Sequence, residues 1–160
     1  TRLAPALSCP HLRHVAGVLW GVSDQSTEGI VMITGSCLCG AVTYTITGKV
    51  GDIVHCHCVT CRKAHAAAFS SVAAVADADF VVSGRESLTA YESSPGKQRY
   101  FCSRCGCQIY AKRDNTKHLV LRLGSLDDHP GVDEKCHIWV SEKAEWYDIN
   151  STLPVYPQSE

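Results

Sequence analysis

Three short clusters of cysteine are the residues of this chain whose spacing could do chemistry. They are Cys37-Leu38-Cys39, Cys56-His57-Cys58-Val59-Thr60-Cys61 and Cys102-Ser103-Arg104-Cys105-Gly106-Cys107. Each cluster is too short for a comfortable internal disulfide, because a disulfide needs Cβ atoms that face each other at a set separation. Clustered thiolates converge readily on one soft cation such as Zn²⁺. The 10 cysteines therefore predict metal binding in a reducing compartment, the cytoplasm, rather than a disulfide framework.

The first and third clusters together predict a closed zinc site. In the segment Cys102-Ser103-Arg104-Cys105-Gly106, two intervening residues let both sulfurs turn toward one ion, and the glycine permits the positive φ that such a turn often needs. The segment Cys37-Leu38-Cys39-Gly40 has the same ending with one residue fewer between the thiols. Joined, the two pairs supply the four thiolates of a structural zinc site. The alternative is that one pair consists only of buried thiols. The four-cysteine group is Cys37, Cys39, Cys102 and Cys105.

The second cluster predicts a different kind of zinc site. Cys56, Cys58 and Cys61, the three-cysteine group, have no obvious fourth cysteine partner elsewhere in the chain. Three protein ligands and one open position are the pattern of a reactive zinc. A lone histidine is more often a structural residue than a ligand, so no candidate for the fourth position stands out. The candidates are His57, His65, Cys107 and His137.

Three thiolates determine what the second site could do. With Zn²⁺ they sum to a net charge of about −1, so the metal is a weaker Lewis acid than one held by three neutral imidazoles. Such a zinc is poorly suited to making hydroxide from water, but it can hold an incoming thiol as a nucleophilic thiolate. Arg62 and Lys63 directly follow Cys61. They could receive the carboxylates of an anionic thiol, or they could be solvated charges beside a turn. The cluster therefore favours thiol chemistry over hydrolysis.

Composition and charge give no support to several other function classes. The formal net charge of −1 is no global electrostatic signal for nucleic acid or an anionic membrane. No apolar run reaches the roughly 20 residues that span a bilayer. The sequence contains no Gly-rich phosphate loop, Gly-x-Ser-x-Gly elbow or His-Glu-x-x-His helix. Six basic residues could form a local basic face, but ordinary solvated surface charges account for them equally well. Those residues are Lys97, Arg99, Arg104, Lys112, Arg113 and Lys117.

The elements that must position the cysteines are predicted to be short strands. Val42, Tyr44 and Ile46 alternate with threonines, a period of two that is rich in β-branched residues. Turn residues separate the apolar runs that follow. One or two helical turns are predicted near residues 58–68, where alanines favour helix. The chain is thus predicted to be an all-β domain stapled by metal. Further strands are predicted at residues 69–76, 80–83, 99–102, 108–112, 118–123 and 137–140.

Residues 1–31 are treated separately from the domain, because the recognisable pattern begins directly after Met32, the only methionine. We interpret them as an N-terminal extension. It is either an upstream segment that is not part of the native protein or a segment that packs on the domain through residues such as Leu19 and Trp20. The domain is predicted over residues 32–157. The chain from Pro154 onward has the composition of a loose tail, and residues 158–160 lie beyond the domain.

The three cysteine segments, in this order, resemble those of the glutathione-dependent formaldehyde-activating (GFA) family, which includes centromere-protein-V-like proteins. The segments that carry the likeness are residues 35–42, 56–63 and 101–106, with 137–140 and 143–146 near the C-terminus. The resemblance covers about residues 33–157. It implies an Mss4-like fold of coiled antiparallel sheets, a structural zinc on the four-cysteine group and a second zinc on the three-cysteine group.

The resemblance also implies an activity. The named activity of the family is S-(hydroxymethyl)glutathione synthase, a carbon–sulfur lyase that joins formaldehyde and glutathione. We therefore expect one structural and one labile zinc ion, with Cys56, Cys58 and Cys61 at the catalytic centre. Expected partners are glutathione, or a related thiol, and a small aldehyde. The alternative is a non-catalytic zinc module that binds a protein or nucleic acid, since the family includes members with binding roles. A thiol-based redox or metal sensor is a third hypothesis. The sequence carries no signal for an oligomeric state.

Overall fold

The fold is taken from a computed structural model that describes residues 32–158. This part of the chain contains ten β-strands, one α-helix and four short 3₁₀ turns. The strands are β1 (Ile33–Ser36), β2 (Thr43–Ile46), β3 (Ile53–Cys56), β4 (Ser70–Ala76), β5 (Phe80–Ser83), β6 (Leu88–Ser94), β7 (Lys97–Cys102), β8 (Gln108–Arg113), β9 (His118–Arg122) and β10 (Glu134–Ile138), and the helix is α1 (Val59–His65). The predicted all-β class is confirmed.

The strands form two sheets. The smaller sheet has the order β1-β2-β5, and the larger has the order β10-β3-β4-β9-β8-β7-β6. Neighbouring strands are antiparallel throughout, except that β10 runs parallel to β3. A parallel pair needs a long connection, and six strands and α1 lie between β3 and β10 along the chain. The larger sheet is therefore mixed, where the resemblance implies antiparallel sheets.

The alternating pattern locates most of the strands but misses three. Strand β1 is not predicted because it precedes Val42, where the alternation begins. Strand β6 is not predicted because most of its side chains are exposed, so its sequence lacks an apolar alternation. Strand β3 escapes because it has four residues and ends in the cysteine cluster. The helix is shorter than the predicted stretch of residues 58–68. It ends at His65, because the next residue, Ala66, has a left-handed φ of 49°.

The core lies between the two sheets and uses one face of the larger sheet. Ala73 on β4 stands opposite Leu121 on β9, and both belong to the core cluster. Val72, the neighbour of Ala73, stands opposite Arg122 and points to the other face. We call that second face the outer face. Residues that pair directly across neighbouring strands point to the same face. By this register, the outer face carries Val54, Cys56, Val72, Arg99, Ala111, Val120 and Arg122.

The C-terminal segment is attached to the larger sheet rather than loose. The His137 backbone N–H donates to the Pro154 carbonyl, and the Tyr156 N–H donates to the His137 carbonyl, both at 2.9 Å. Val155 thereby forms a parallel bridge to His137 at the edge strand β10. The expected loose tail from Pro154 is therefore wrong as far as Pro157, because these backbone groups find partners on β10. The expectations for residues 1–31 lie outside the described residues.

Within residues 32–158, no helix is long and apolar enough to span a membrane. The helix α1 has 7 residues, whereas a span needs about 20.

Candidate metal centres

The four-cysteine group is assembled by two turns. Cys37 and Cys39 lie in the turn between β1 and β2, whereas Cys102 and Cys105 lie where β7 ends and turns toward β8. The four Sγ atoms all lie within 4.8 Å of one another. The Cys37–Cys39 and Cys39–Cys102 sulfur separations are 3.6 and 3.7 Å. Four sulfurs held at about 2.3 Å from one ion in a tetrahedron stand roughly 3.8 Å apart. The donor set and its spacing therefore fit a zinc ion.

Glycines form both of these turns, as predicted. Gly40 and Gly106 each have a φ of 73°, a conformation that L side chains adopt at a cost. The Gly40 N–H donates to the Cys37 carbonyl at 2.9 Å, and the Gly106 N–H donates to the Cys102 carbonyl at 2.8 Å. In the first turn, the Val42 N–H also donates to Cys37 Sγ at 3.2 Å. Such N–H···S bonds stabilise a charged thiolate.

The three-cysteine group forms where β3 passes into α1. Cys56 is the last residue of β3, Cys58 is the N-cap of α1, and Cys61 lies within the helix. Their Sγ atoms lie within 4.8 Å of one another. The Cys61 N–H donates to Cys58 Sγ at 3.3 Å, so the first helical turn itself orients one sulfur. Cys56 and Cys61 are buried and Cys58 is partly exposed. This donor set also suits a soft cation.

Two buried arginines approach the three-cysteine group from the outer face of the sheet. Arg99 Nη1 lies 4.0 Å from Cys61 Sγ, and the charges of both Arg122 and Arg99 lower the pKa of the Cys61 thiol. The two side chains are 5% and 3% exposed. Arginine is almost never buried without a partner. The thiol cluster is thus faced by two positive charges inside the protein.

The pKa values of the three thiols are pushed apart. Hydrogen bonds from Cys56 and Cys58 hold the pKa of Cys61 far below its ordinary value, and the charges of Arg122 and Arg99 lower it further. Hydrogen bonds to Cys58 and Cys61, together with burial, raise the pKa of Cys56. The two guanidinium groups therefore favour the ionised form of Cys61.

The four candidates for the open position do not join the three-cysteine group within residues 32–158. His57 and His137 bind each other, with Nε2 of the first 2.9 Å from Nδ1 of the second. His65 Nδ1 donates to the Cys61 carbonyl at 2.8 Å. Cys107 Sγ lies 3.8 Å from the Gln108 carbonyl oxygen. Among the described residues, the group thus offers three ligand atoms and no fourth.

A cleft of about 410 Å³ opens beside the three-cysteine group. His65 from α1 and Arg122 from β9 line it, and His65 Nδ1 donates to the Cys61 carbonyl. None of the three cysteines lines the cleft itself. Ser70 also lines the cleft, with its Oγ 3.4 Å from His65 Nε2. A small polar ligand in this cleft would meet hydrogen-bonding groups next to the sulfur cluster. The remaining lining residues are Ala64, Ala67, Phe69, Ser71, Gly106, Cys107, Gln108, Gly124 and Ser125.

Arg62 and Lys63, the predicted carboxylate contacts, lie on α1 but do not line this cleft. Arg62 is half-buried, and its Nε donates to the His57 carbonyl at 3.2 Å. Lys63 is exposed. Their contact with a substrate stays a prediction.

The burial of Arg99 and Arg122 beside Cys61 is not predicted by the sequence. Arg99 falls among the residues of the proposed basic face and Arg122 does not stand out, although both lie within predicted strands. One signal was present: Leu119 and Leu121 alternate with Val120 and Arg122, so a strand with an apolar face places this arginine on its opposite side. The sequence does not show that α1 and the three cysteines cover this outer face of the sheet, because that depends on the tertiary fold. Of the proposed basic face, Arg104, Arg113 and Lys117 are exposed, and Lys97, Arg99 and Lys112 are not.

Comparison with known proteins gives one family. The sequence profile of the family described as glutathione-dependent formaldehyde-activating enzyme matches residues 32–142. A Halomonas elongata protein named "Putative glutathione-dependent formaldehyde-activating enzyme" is 30% identical over an alignment of 131 residues, and the match covers 76% of this chain and 83% of that protein. A Schizosaccharomyces pombe protein named as an "uncharacterized lyase" is 31% identical over 127 residues, which are 79% of this chain and 91% of that protein.

One solved structure supports the fold. A crystal structure of a Rhodobacter sphaeroides protein superposes with a TM-score of 0.51 at 24% sequence identity. The match covers 64% of this chain and 99% of the other.

Proposed function

Because this chain belongs to the glutathione-dependent formaldehyde-activating enzyme family, we propose that it is a zinc-dependent carbon–sulfur lyase of the S-(hydroxymethyl)glutathione synthase type. It joins, or releases, a small aldehyde and glutathione or a related thiol. The names of the relatives support an enzyme of the lyase kind. The choice of thiol and aldehyde and a cytoplasmic location are part of the proposal.

The observation that carries this proposal is the three-cysteine group beside an open cleft. Cys56, Cys58 and Cys61 supply three convergent sulfurs, and the described residues offer no fourth ligand atom. Zinc bound there supplies a positive centre that keeps an incoming thiol ionised at neutral pH. The four-cysteine group, in contrast, has a complete ligand set of its own and joins the two sheets. We assign it the structural role.

The cleft residues are proposed to bind and orient the reactants. In the synthetic direction, the thiol sulfur bonds to the aldehyde carbon, the carbon–oxygen π bond opens, and the oxygen takes up the proton that the thiol gave up. Ser70 is within reach of a small carbonyl compound in the cleft, and its hydroxyl can donate a hydrogen bond to the carbonyl oxygen. His65 Nε2 carries no proton when Nδ1 donates to the Cys61 carbonyl, so it can only accept a hydrogen bond there. Arg62 and Lys63 are kept as proposed contacts for thiol carboxylates that extend beyond the cleft.

A titration with two ligands tests the function. Glutathione is expected to bind the zinc-loaded protein through sulfur, and S-methylglutathione, whose sulfur cannot ionise, is expected to bind at least about tenfold more weakly. NMR of labelled formaldehyde with glutathione should then show faster exchange between free aldehyde and adduct in the presence of the protein. Equal affinity for the two ligands, with no change in exchange, would favour a non-catalytic zinc module.

A further inference from the structure

The two arginines next to the three-cysteine group have no acidic partner in the described part of the chain. Ion pairs there join His55 to Glu134, Lys112 to Asp77 and Lys135 to Asp52, and none includes Arg99 or Arg122. The Nε atoms of both arginines are buried without a hydrogen-bond partner within residues 32–158. A buried charge without compensation is costly, so the balancing negative charge must come from the thiolates or from a ligand.

The positions of both arginines follow from the strand register. Arg99 on β7 and Arg122 on β9 lie on the outer face of the larger sheet, the same face as Cys56 on β3. The helix α1 brings Cys61 to this face, where Arg99 Nη1 lies 4.0 Å from its sulfur. Both guanidinium groups are therefore carried by strands of one sheet and not by loops. A rigid element holds a charge at a set distance from its target better than a loop does.

Charge arithmetic shows what these arginines can balance. Three thiolates and a divalent cation sum to about −1, so with two guanidinium groups the site carries an excess of about +1. A fourth thiolate brings the zinc and its four sulfurs to about −2, which the two guanidinium groups then neutralise. The half-buried Lys97, whose charge also acts on Cys61, adds to the preference for a negative ligand. A neutral fourth ligand, such as water or imidazole, leaves the excess positive charge in place. Inside a protein, where the effective dielectric constant is low, such a difference is large.

The four-cysteine group provides an internal comparison. It would also carry four thiolates, but Cys39 is exposed and Cys105 is partly exposed, so solvent can screen its charge. No arginine among the described residues hydrogen-bonds its sulfurs. The three-cysteine group is the more buried of the two, and both arginines lie on the same face of the larger sheet as its Cys56.

We propose that Arg99 and Arg122 are the counter-charges that make the three-cysteine group select a thiolate as its fourth ligand. They are positioning residues, which favour the ionised sulfur of the substrate over water and other neutral ligands. Arg122 also lines the cleft, so it lies on the path by which the thiol reaches the cluster. The inference rests on the proposed function and deepens it, because it names the residues that set the preference for sulfur.

The test compares two small ligands that lack carboxylates, so that contacts with the rest of glutathione do not contribute. They are 2-mercaptoethanol, which binds as a thiolate, and imidazole, which binds neutral. Each is titrated into metal-loaded wild type and into Arg99→Gln, Arg122→Gln and Arg122→Lys, with circular dichroism and metal content as checks. The matched control is Arg113→Gln, an exposed arginine on β8 of the same sheet.

The expected result is a selective loss. Both glutamine variants should bind 2-mercaptoethanol at least about tenfold more weakly than wild type, with imidazole binding unchanged or tighter. Arg122→Lys keeps the charge and should stay within a few-fold of wild type, which also covers the case in which a glutamine variant does not fold. The control should change neither affinity.

Three outcomes would overturn the inference. Parallel weakening of both ligands, or an unchanged thiol affinity in the glutamine variants, would show that the arginines do not select for charge. A lysine variant as weak as the glutamine variant would assign the effect to geometry instead. The proposed function fails separately, when wild type itself does not prefer glutathione over S-methylglutathione.

Discussion

The sulfur atoms of Cys39 and Cys102 lie 3.7 Å apart although 63 residues separate them in the chain. Cys39 belongs to the turn that ends β1 in the smaller sheet, and Cys102 ends β7 in the larger one. A metal held between them therefore closes a long loop and joins the two sheets over the core. Closing a long loop costs entropy, so a metal that binds only the folded chain would stabilise the fold directly.

Removing one ligand from each group should separate their roles. Cys102 is fully buried and Cys58 is partly exposed. Cys102→Ala should unfold the domain or destabilise it severely, since a structural zinc contributes on the order of 10 kcal/mol of folding free energy in small modules. Cys58→Ala should leave the fold largely intact while the second metal and any activity are lost. Circular dichroism and metal analysis check both results. Equal unfolding of the two variants would contradict the division into structural and reactive sites.

Chelation should remove the two metals in separate phases. The four-cysteine group has a closed ligand set, whereas the three-cysteine group has an open position through which a chelator can attack. We expect the zinc at the three-cysteine group to leave under mild chelation without a change in circular dichroism. The zinc at the four-cysteine group should leave only under stronger chelation, together with the fold. Metal analysis along a chelator titration gives the result. A single phase in which both ions leave together would contradict the assignment.

The local parts of the fold and of the site are those that the sequence predicts. Alternation identifies strands such as β2, and the spacing of thiols and glycines predicts the knuckle at Cys102–Gly106 with its positive φ at Gly106. Each of these depends only on near neighbours in the chain. The sequence also predicts the two groups of cysteines whose sulfurs converge in the structure. That each group holds its own zinc stays a prediction.

The features of the fold and of the site that the sequence does not predict depend on contacts between distant segments. The parallel pairing of β10 with β3, and the bridge from Val155 to β10, are decided by which edge of the sheet stays open. Arg99 and Arg122 look like surface charges in the sequence, since nothing local indicates that α1 covers their face. Their burial follows from the packing of Cys61 against the sheet.

Cys107 should be dispensable for metal binding. Burial raises the pKa of its thiol above the ordinary value, so it stays protonated near neutral pH, and it belongs to neither group of convergent sulfurs. Cys107→Ser should therefore keep the zinc content of wild type, with a free energy of unfolding changed by about 1 kcal/mol or less. Metal analysis and urea unfolding measure the two quantities. Loss of one zinc per chain would show that Cys107 is a ligand.

The close approach of β1 and β2 should make Gly35 intolerant of any side chain. A Cβ at this position would lie 2.1 Å from Cζ of Tyr44, and Tyr44 cannot retreat because it is buried and its hydroxyl lies 2.9 Å from Ser125 Oγ. Gly35→Ala should therefore lower the free energy of unfolding by roughly 1–3 kcal/mol or more, the usual cost of overpacking. Gly124→Ala is the matched control, because a Cβ there meets nothing within 4 Å and should change stability by less than about 1 kcal/mol. Urea unfolding of both zinc-loaded variants measures the difference, and equal stabilities would contradict the tight packing of Tyr44 against Gly35.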